Sequence, residues 1–258
     1  MDYDLPDEIQ VSAQGGLRYV TFNRPDQLNA VNRALHAGLV QLWDQLSYDT
    51  DATAVVITGE GKAFSAGGDM EWFLVMNRDI HERRRCMREA KAIARNQLAC
   101  ELPLVAAVNG PAIGLGCSLA LMCDYVVMAD TAVFADPHVA VGLVAGDGGA
   151  AVWPLFMSIL QAKQYVLLGD RVKPDDALRL GLCNEVVPTA DVVTRATEIA
   201  ERLAALPTYA MRDTKRAMNM HLERAIDGIM DVALKAEDIS FTTDELRDMT
   251  QKFLDRSK

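Results

Sequence analysis

One stretch constrains the fold more than any other: an apolar run that passes through a glycine-rich turn into a helix. The run Leu104–Val108 is short and partly β-branched, which indicates a buried strand. Asn109-Gly110-Pro111 ends this strand, and the apolar, helix-like segment Cys117–Met122 follows Gly114 and Gly116. A helix that begins at such a turn leaves free backbone N–H groups at its N-terminus, where a phosphate or an oxyanion can bind.

A second stretch predicts the same arrangement earlier in the chain. Val55–Gly59 is typical of the end of a strand, and Lys62–Met70 is a run rich in small residues that leads into a helix. One such turn is weak evidence, since most glycine turns merely pack a helix against a strand. Two of them in one α/β chain favour an oxyanion hole made by two backbone donors.

Composition narrows the classes of protein. The chain has 258 residues, of which 50% are hydrophobic, enough for one sizeable core. Its formal net charge of −10 disfavours a nucleic-acid partner, because phosphate binding calls for clustered Lys and Arg. The nearest such cluster, Arg83-Arg84-Arg85, shares a predicted helix with Glu82 and Glu89, and we interpret it as a solvated helix face.

The cysteines and histidines show neither a disulfide framework nor a metal-ligand spacing. The five cysteines are odd in number and include no CxxC pair, and the four histidines are scattered. No apolar run reaches the length of a membrane span, and the acidic start of the chain has no apolar signal core. These features predict a cytoplasmic protein that binds neither membrane nor metal.

Strands and helices alternate along most of the chain, which predicts an α/β fold with crossover connections. The predicted strands are Glu8–Ser12, Leu17–Phe22, Ala54–Thr58, Leu104–Val108 and Asn184–Val187. Helical segments are predicted at about 33–47, 70–100 and 149–168, with a short one from Pro174. From about residue 190 only helices are predicted, at about 190–205, 207–221, 223–238 and 242–256. We therefore expect an α/β core at 1–190 and a helical region at 191–258.

Taken in order, the motifs resemble the crotonase superfamily, also called the enoyl-CoA hydratase/isomerase family. The matching segments are Asn23–Pro25 with Leu28–Ala30, Ala63–Asp69, Asn109–Cys117, Cys123-Asp124, Leu168–Asp170 and Gly181–Pro188. The resemblance extends from about residue 7 to the C-terminus. It implies a spiral of β-β-α units, followed by a helical C-terminal region used in oligomerisation, as a homotrimer or a dimer of trimers.

The resemblance also implies an oxyanion hole and a departure from the family's hydratases. The two backbone donors that grip a thioester carbonyl would be Ala66 and Leu115. The two glutamates with which the hydratases add water are matched here by Ser118 and His138. A serine cannot replace a carboxylate base, whereas a histidine titrates near neutral pH. A two-glutamate hydration mechanism is therefore not expected.

An aspartate stands where it could support the histidine. Asp147 lies nine residues after His138, and a carboxylate that accepts a hydrogen bond from an imidazole makes that imidazole a usable general base. The pair, together with the segment Gly142–Gly148, resembles the β-diketone hydrolases of this superfamily. Those enzymes cleave carbon–carbon bonds by a retro-Claisen route with a histidine-activated water and without CoA. The same replacement is compatible with relatives that keep CoA.

The resemblance further implies how a CoA thioester would be held. The residues implied to contact CoA are Arg24, Leu28 and Ala30 in an early loop and Lys252 and Phe253 in the last helix. The residues implied to line the acyl pocket are Trp72, Phe73 and Ser118. A turn with a helix cap, ordinary core packing and a plain amphipathic terminal helix explain the same residues without a ligand.

Three hypotheses follow for the function. The first is an enzyme that acts on an acyl-CoA thioester through an enolate, with His138 and Asp147 moving protons or activating water and with no permanently bound cofactor. The second is a CoA-independent β-diketone hydrolase that uses the same groups. The third is a non-catalytic binding protein on an inherited fold, which the loss of both family glutamates suggests and the His/Asp pair disfavours.

Overall fold

A six-stranded sheet forms the centre of the protein, in a computed structural model that describes residues 2–256. The strands of the protein are β1 (Ile9–Gln14), β2 (Leu17–Phe22), β3 (Ala54–Gly59), β4 (Leu104–Val108), β5 (Ala112–Ile113), β6 (Tyr125–Ala129), β7 (Phe134–Ala135) and β8 (Glu185–Val187). The large sheet has the order β1-β2-β3-β4-β6-β8, in which β1 and β2 are antiparallel and the later pairs are parallel. Strands β5 and β7 pair separately, in parallel. Every residue of β4 is buried, as a strand covered on both faces requires.

Helices cover this sheet and form the C-terminal part. They are α1 (Arg33–Tyr48), α2 (Met70–Arg78), α3 (Ile80–Ala99), α4 (Leu115–Leu121), α5 (Gly149–Val152), α6 (Ile159–Leu168), α7 (Pro174–Leu180), α8 (Val192–Ala204), α9 (Thr208–Ala225), α10 (Asp231–Ser240) and α11 (Asp244–Arg256). Helix α8 packs on β3, β4 and β6, and α1 packs on α3. Among the described residues, no helix is both long and apolar enough to cross a membrane.

The predicted α/β fold is confirmed, and the strands do end at about residue 190, because β8 stops at Val187. The division into 1–190 and 191–258, with oligomerisation through the second part, stays a prediction. Residues 257 and 258 lie outside the described residues.

Three helix boundaries differ from the prediction. The region 70–100 is two helices, because the carboxylate of Asp79 accepts the backbone N–H of His81 at 2.8 Å and caps a new helix there. The predicted helix 149–168 is interrupted by a 3-10 turn over Trp153–Leu155 that contains a proline. No break occurs near residue 222, since α9 continues through a π-helical turn, Ile226–Met230, into α10.

The C-terminal helices fold back over the first part of the chain. Helix α11 packs on α2, and the side-chain amide of Asn77 donates to the carbonyl of Phe241 at 2.7 Å. The rings of Phe73 and Phe241 meet edge to face with centroids 5.4 Å apart. An ion pair joins Arg83 on α3 to Asp238 on α10 at 2.7 Å. The end of α10 therefore closes over the space beside α2 and α3.

Candidate active site

The predicted strand–turn–helix places one backbone donor beside the imidazole of His138. Gly114 has φ +52° and ψ −122°, a conformation that L side chains rarely adopt, and a Cβ there would lie 3.2 Å from Cε1 of His138. Leu115 is the first residue of α4, so its N–H has no acceptor inside the helix. It has no other acceptor within residues 2–256. The N–H of Leu115 is therefore available to a ligand next to His138.

The second donor is not the one that the sequence predicts. The N–H of Ala66 donates to the carbonyl of Leu28 at 2.9 Å, so the expectation that Ala66 offers a free donor is wrong. The neighbouring Gly68 differs, because its N–H has no hydrogen-bond acceptor in the described part of the chain. Gly68 also lines the same cavity as Leu115 and His138.

The loop that engages Ala66 is held by its own side chains. Asn29, fully buried at φ +56°, donates to the carbonyls of Glu60 and Ala63 at 2.9 and 2.8 Å. The guanidinium of Arg24 forms an ion pair with Asp69 at 3.0 Å. Arg24 also donates to the carbonyl of Ala30. Arg24 and Ala30, both expected to contact CoA, thus already bind each other, whereas the side chain of Leu28 is exposed.

His138 lies between two carboxylates. Its Nδ1 is 2.5 Å from Oδ1 of Asp136, and its Nε2 is 3.4 Å from Oδ2 of Asp147. The imidazole is 8% exposed and Asp136 is fully buried. Sequence reasoning proposed the partnership with Asp147 and missed that of Asp136, although Asp136 stands only two residues before the histidine.

The two carboxylates decide the charge of His138. Burial lowers the pKa of a histidine, but the nearby charges of Asp147 and Asp136 outweigh it, and the pKa of His138 is raised well above its ordinary value. The two aspartates therefore favour the imidazolium form of His138. The group that can accept a proton in this state is a carboxylate, and Oδ1 of Asp147 is buried without a hydrogen-bond partner among the described residues.

Glu237 on α10 is a second acid at this site, and sequence reasoning did not single it out. It is 4% exposed, lines the same cavity as His138 and Asp147, and its Oε2 has no hydrogen-bond partner within residues 2–256. Burial, followed by the charge of Asp147, raises the pKa of Glu237 well above its ordinary value. Glu237 is therefore a carboxylic acid that keeps its proton beside a carboxylate.

The pattern around Glu237 contained a signal. Glu237 follows Ile226, Met230 and Ala233 at helical spacing, and all four side chains are buried. A glutamate on the apolar face of a helix is seldom fully buried unless it is paired or functional.

These groups line a cavity of about 40 Å³. The wall opposite the charged groups is apolar and includes Trp72, Phe73, Met76 and Phe241. A second small cavity adjoins it and shares Gly68, Phe73 and His138 with it. The catalytic cavity, as we call the first, has room for only a few water molecules and would have to widen for a substrate.

Other predicted site residues lie elsewhere. Ser118 is fully buried against Gly148, its Oγ has no partner among the described residues, and it does not belong to the wall of the catalytic cavity. Its expected place in the acyl pocket stays a prediction. Lys252 and Phe253 lie on α11 with exposed side chains. Their contact with CoA stays a prediction.

One imidazole and two carboxylates at this spacing could also ligate a cation. The nitrogen and oxygen atoms of Asp136, His138 and Asp147 lie within 4.8 Å of one another, and such a donor set suits a divalent transition metal. In the structure each ring nitrogen of His138 already faces an aspartate. A proton on the imidazole therefore supplies the positive charge that a metal ion would bring to the two carboxylates.

Comparisons with known proteins agree with this architecture. A short-chain enoyl-CoA hydratase of Clostridium acetobutylicum is 31% identical over 251 residues, which cover 97% of this chain and 95% of that protein. The crystal structure of an enoyl-CoA hydratase/isomerase from Mycobacterium paratuberculosis is 48% identical, with a TM-score of 0.94 over 97% of this chain and 100% of that one.

A further solved structure is a β-diketone hydrolase from the cyanobacterium Anabaena sp. PCC 7120, bound to (S)-3-oxocyclohexyl acetic acid. It is 27% identical, with a TM-score of 0.84, and the match covers 93% of this chain and 98% of that one. The profile of the enoyl-CoA hydratase/isomerase family matches residues 12–258. The chain therefore belongs to the enoyl-CoA hydratase/isomerase family.

Proposed function

We propose that the protein adds water to an α,β-unsaturated acyl-CoA thioester through an enolate, with Asp147 as the base and Glu237 as the acid. One observation carries the proposal: a carboxylate paired with an imidazolium and a carboxylic acid that keeps its proton face one cavity. A carboxyl group that burial keeps protonated, close to an aspartate that faces a positively charged ring, is an arrangement suited to an acid and base pair.

The base half of the site activates water. Asp147 would take a proton from a water molecule as that water attacks the β-carbon of the thioester. The imidazolium of His138 holds Asp147 in place through Nε2, and Asp136 fixes the ring through Nδ1. Because His138 is already protonated, its role is to orient and to supply positive charge rather than to remove the first proton.

The oxyanion half holds the enolate. Attack at the β-carbon moves charge onto the thioester oxygen, and the free N–H groups of Leu115 and Gly68 would donate to it. Glu237 then gives its proton to the α-carbon, which completes the addition of water. The enzyme returns to its first state when Glu237 regains a proton and Asp147 releases one.

The acyl group and the CoA part would lie on opposite sides of His138. The cavity that shares Gly68 and His138 with the catalytic cavity is also lined by Ala66 and Gly67. Ala66 contacts the loop around the exposed Leu28, because its N–H donates to the carbonyl of Leu28. We assign this side to the pantetheine arm of CoA. The apolar wall of Trp72, Phe73 and Met76 would face the acyl group.

The same groups could instead cleave a carbon–carbon bond, and this is the second candidate function. In that reaction the activated water attacks a carbonyl of a β-diketone, the amides hold the oxyanion, and Glu237 protonates the enolate that leaves. It is favoured by the solved β-diketone hydrolase with 27% identity and by the position of His138 between two aspartates, where it would orient Asp147 to take a proton from water.

Oxygen-18 water distinguishes the two candidates. The purified protein would be incubated in this water with crotonyl-CoA and, separately, with a cyclic β-diketone, and the products analysed by mass spectrometry. Hydration places the label in a β-hydroxyl group with the carbon skeleton intact. Retro-Claisen hydrolysis opens the ring and places it in a new carboxylate.

Variants test the roles. Asp147→Asn should lower kcat on the accepted substrate by about 100-fold or more, the usual range for loss of a general base. His221→Ala, an exposed histidine on α9, is the matched control and should retain activity. Turnover of neither substrate, or full activity in Asp147→Asn, would contradict the proposal.

A further inference from the structure

A groove between α3 and α10 concentrates positive charge on an acidic protein. Helix α3 supplies Arg84, Arg88, Lys91 and Arg95, whose spacing of three and four residues places them along one stripe, and α10 supplies Lys235. The groove has a volume of about 570 Å³. The whole chain carries a formal net charge of −10, so this cationic surface is a local feature.

Only part of this charge is neutralised by the protein. Lys91 pairs with Asp231 and Arg95 with Asp227. The other aspartate of the groove, Asp238, pairs with the buried Arg83. The three remaining cations, Arg84, Arg88 and Lys235, have exposed side chains and make no ion pair within the part of the chain that the structure describes.

The groove adjoins the catalytic cavity. Met87 lines both spaces, and Glu237 of the catalytic cavity stands next to Asp238 of the groove on α10. The smaller cavity that we assign to the pantetheine arm shares Gly68 and His138 with the catalytic cavity. The groove thus shares a lining residue with the catalytic cavity and none with the cavity on the CoA side.

The floor of the groove suits a short hydrocarbon chain. Leu234 and Met87 supply apolar surface, and Ala92 adds a small side chain between the cationic residues of α3. Arginine guanidinium groups bind carboxylates through two parallel hydrogen bonds. A ligand that fits these features is apolar next to the catalytic cavity and ends in an anion.

We propose that the groove binds a carboxylate at the far end of the acyl group, so that the preferred substrate is an acyl-CoA whose chain ends in a carboxylate. This inference rests on the proposed function, because it takes the acyl group to extend from the catalytic cavity past Met87. Arg88 and Arg84 receive the carboxylate, and Lys235 adds charge from the opposite helix.

Two substrates that differ in one group test this inference. One is hex-2-enoyl-CoA, and the other is the same thioester with its terminal methyl replaced by a carboxylate. The value of kcat/KM for each would be measured with the wild type, Arg88→Ala and Arg85→Ala. Arg85 is an exposed arginine on the same helix that does not line the groove, and so serves as the matched control.

The wild type should prefer the carboxylate-bearing thioester by about 10- to 100-fold, the effect of one or two hydrogen bonds to a charged group. Arg88→Ala should lose most of this preference through a higher KM, with little change for the methyl-ended thioester. Arg85→Ala should behave as the wild type. Added salt should reduce the preference, because the groove is exposed.

Three results would overturn the inference. Equal turnover of both thioesters by the wild type would leave the proposed function standing without this specificity. An equal rise in KM for both thioesters in Arg88→Ala would mean that the groove holds the phosphates of CoA. If neither thioester is turned over, the proposed function fails. Calorimetry with the wild type and Arg88→Ala then tests the inference separately, and it is refuted if the two thioesters bind with equal affinity.

Discussion

The buried acid Glu237 makes the stability of this protein depend on pH in a way that one substitution should remove. Burial and the charge of Asp147 raise the pKa of Glu237 in the folded state, whereas in the unfolded chain it titrates near its ordinary value. Between those two pKa values the folded state keeps a proton that the unfolded state has lost. The free energy of unfolding therefore falls as pH rises through this window.

The size of the effect follows from linkage. One proton of difference changes the free energy of unfolding by about 1.4 kcal/mol per pH unit. Within the window between its unfolded and folded pKa values, Glu237 alone should therefore remove about 1.4 kcal/mol for each unit that the pH rises. In Glu237→Gln this loss is absent, since the amide does not titrate. His138, whose folded pKa is also raised, contributes to both proteins and largely cancels in the comparison.

Urea unfolding at pH 5.5, 6.5 and 7.5, at one protein concentration, measures the difference. For each unit that the pH rises, the free energy of unfolding of Glu237→Gln should increase by about 1.4 kcal/mol relative to that of the wild type. Glu201→Gln, an exposed glutamate on α8, is the control and should run parallel to the wild type. If Glu237→Gln also runs parallel, Glu237 is not a retained acid, and its role as proton donor fails with it.

Two further substitutions address the other groups of the site. Leu115→Pro removes the backbone donor at the first position of α4, where proline is compatible with a helix, and should lower kcat by about 100- to 1,000-fold. Leu115→Ala keeps the N–H and should not lower kcat in this way. An equal loss in both variants would assign the effect to the side chain. Asp136→Asn removes a charge that raises the pKa of His138, so the midpoint of His138 in an NMR titration should fall below that of the wild type. An unchanged midpoint would contradict the role of Asp136 in raising the pKa of His138.

The central part of the site could be predicted because its determinants are local. The run Leu104–Val108, the turn after it and the small residues before α4 fix a strand–turn–helix without help from distant residues. The free N–H of Leu115 follows from its place at the start of that helix. The contact of His138 with Asp147, suggested by a short separation, is present at 3.4 Å.

The choice of the second donor could not be made from the sequence, because it depends on a loop far away in the chain. Ala66 and Gly68 stand two residues apart in the same run of small residues, and both could offer an N–H. Which one is free is decided by the carbonyl of Leu28, and that carbonyl is positioned by the side chain of Asn29. A hydrogen bond between residues 28 and 66 leaves no trace in either local pattern.

The three carboxyl groups of the site come from two distant parts of the chain. Asp136 and Asp147 reach His138 from the segment that follows β7, and each faces one nitrogen of the imidazolium. Glu237 arrives on a helix from the end of the chain, where burial, followed by the negative charge of Asp147, raises its pKa well above its ordinary value. The α10 segment that carries Glu237 also closes the cavity, through Asp238 and the following Phe241. The same segment of the chain therefore closes the cavity and supplies its acid.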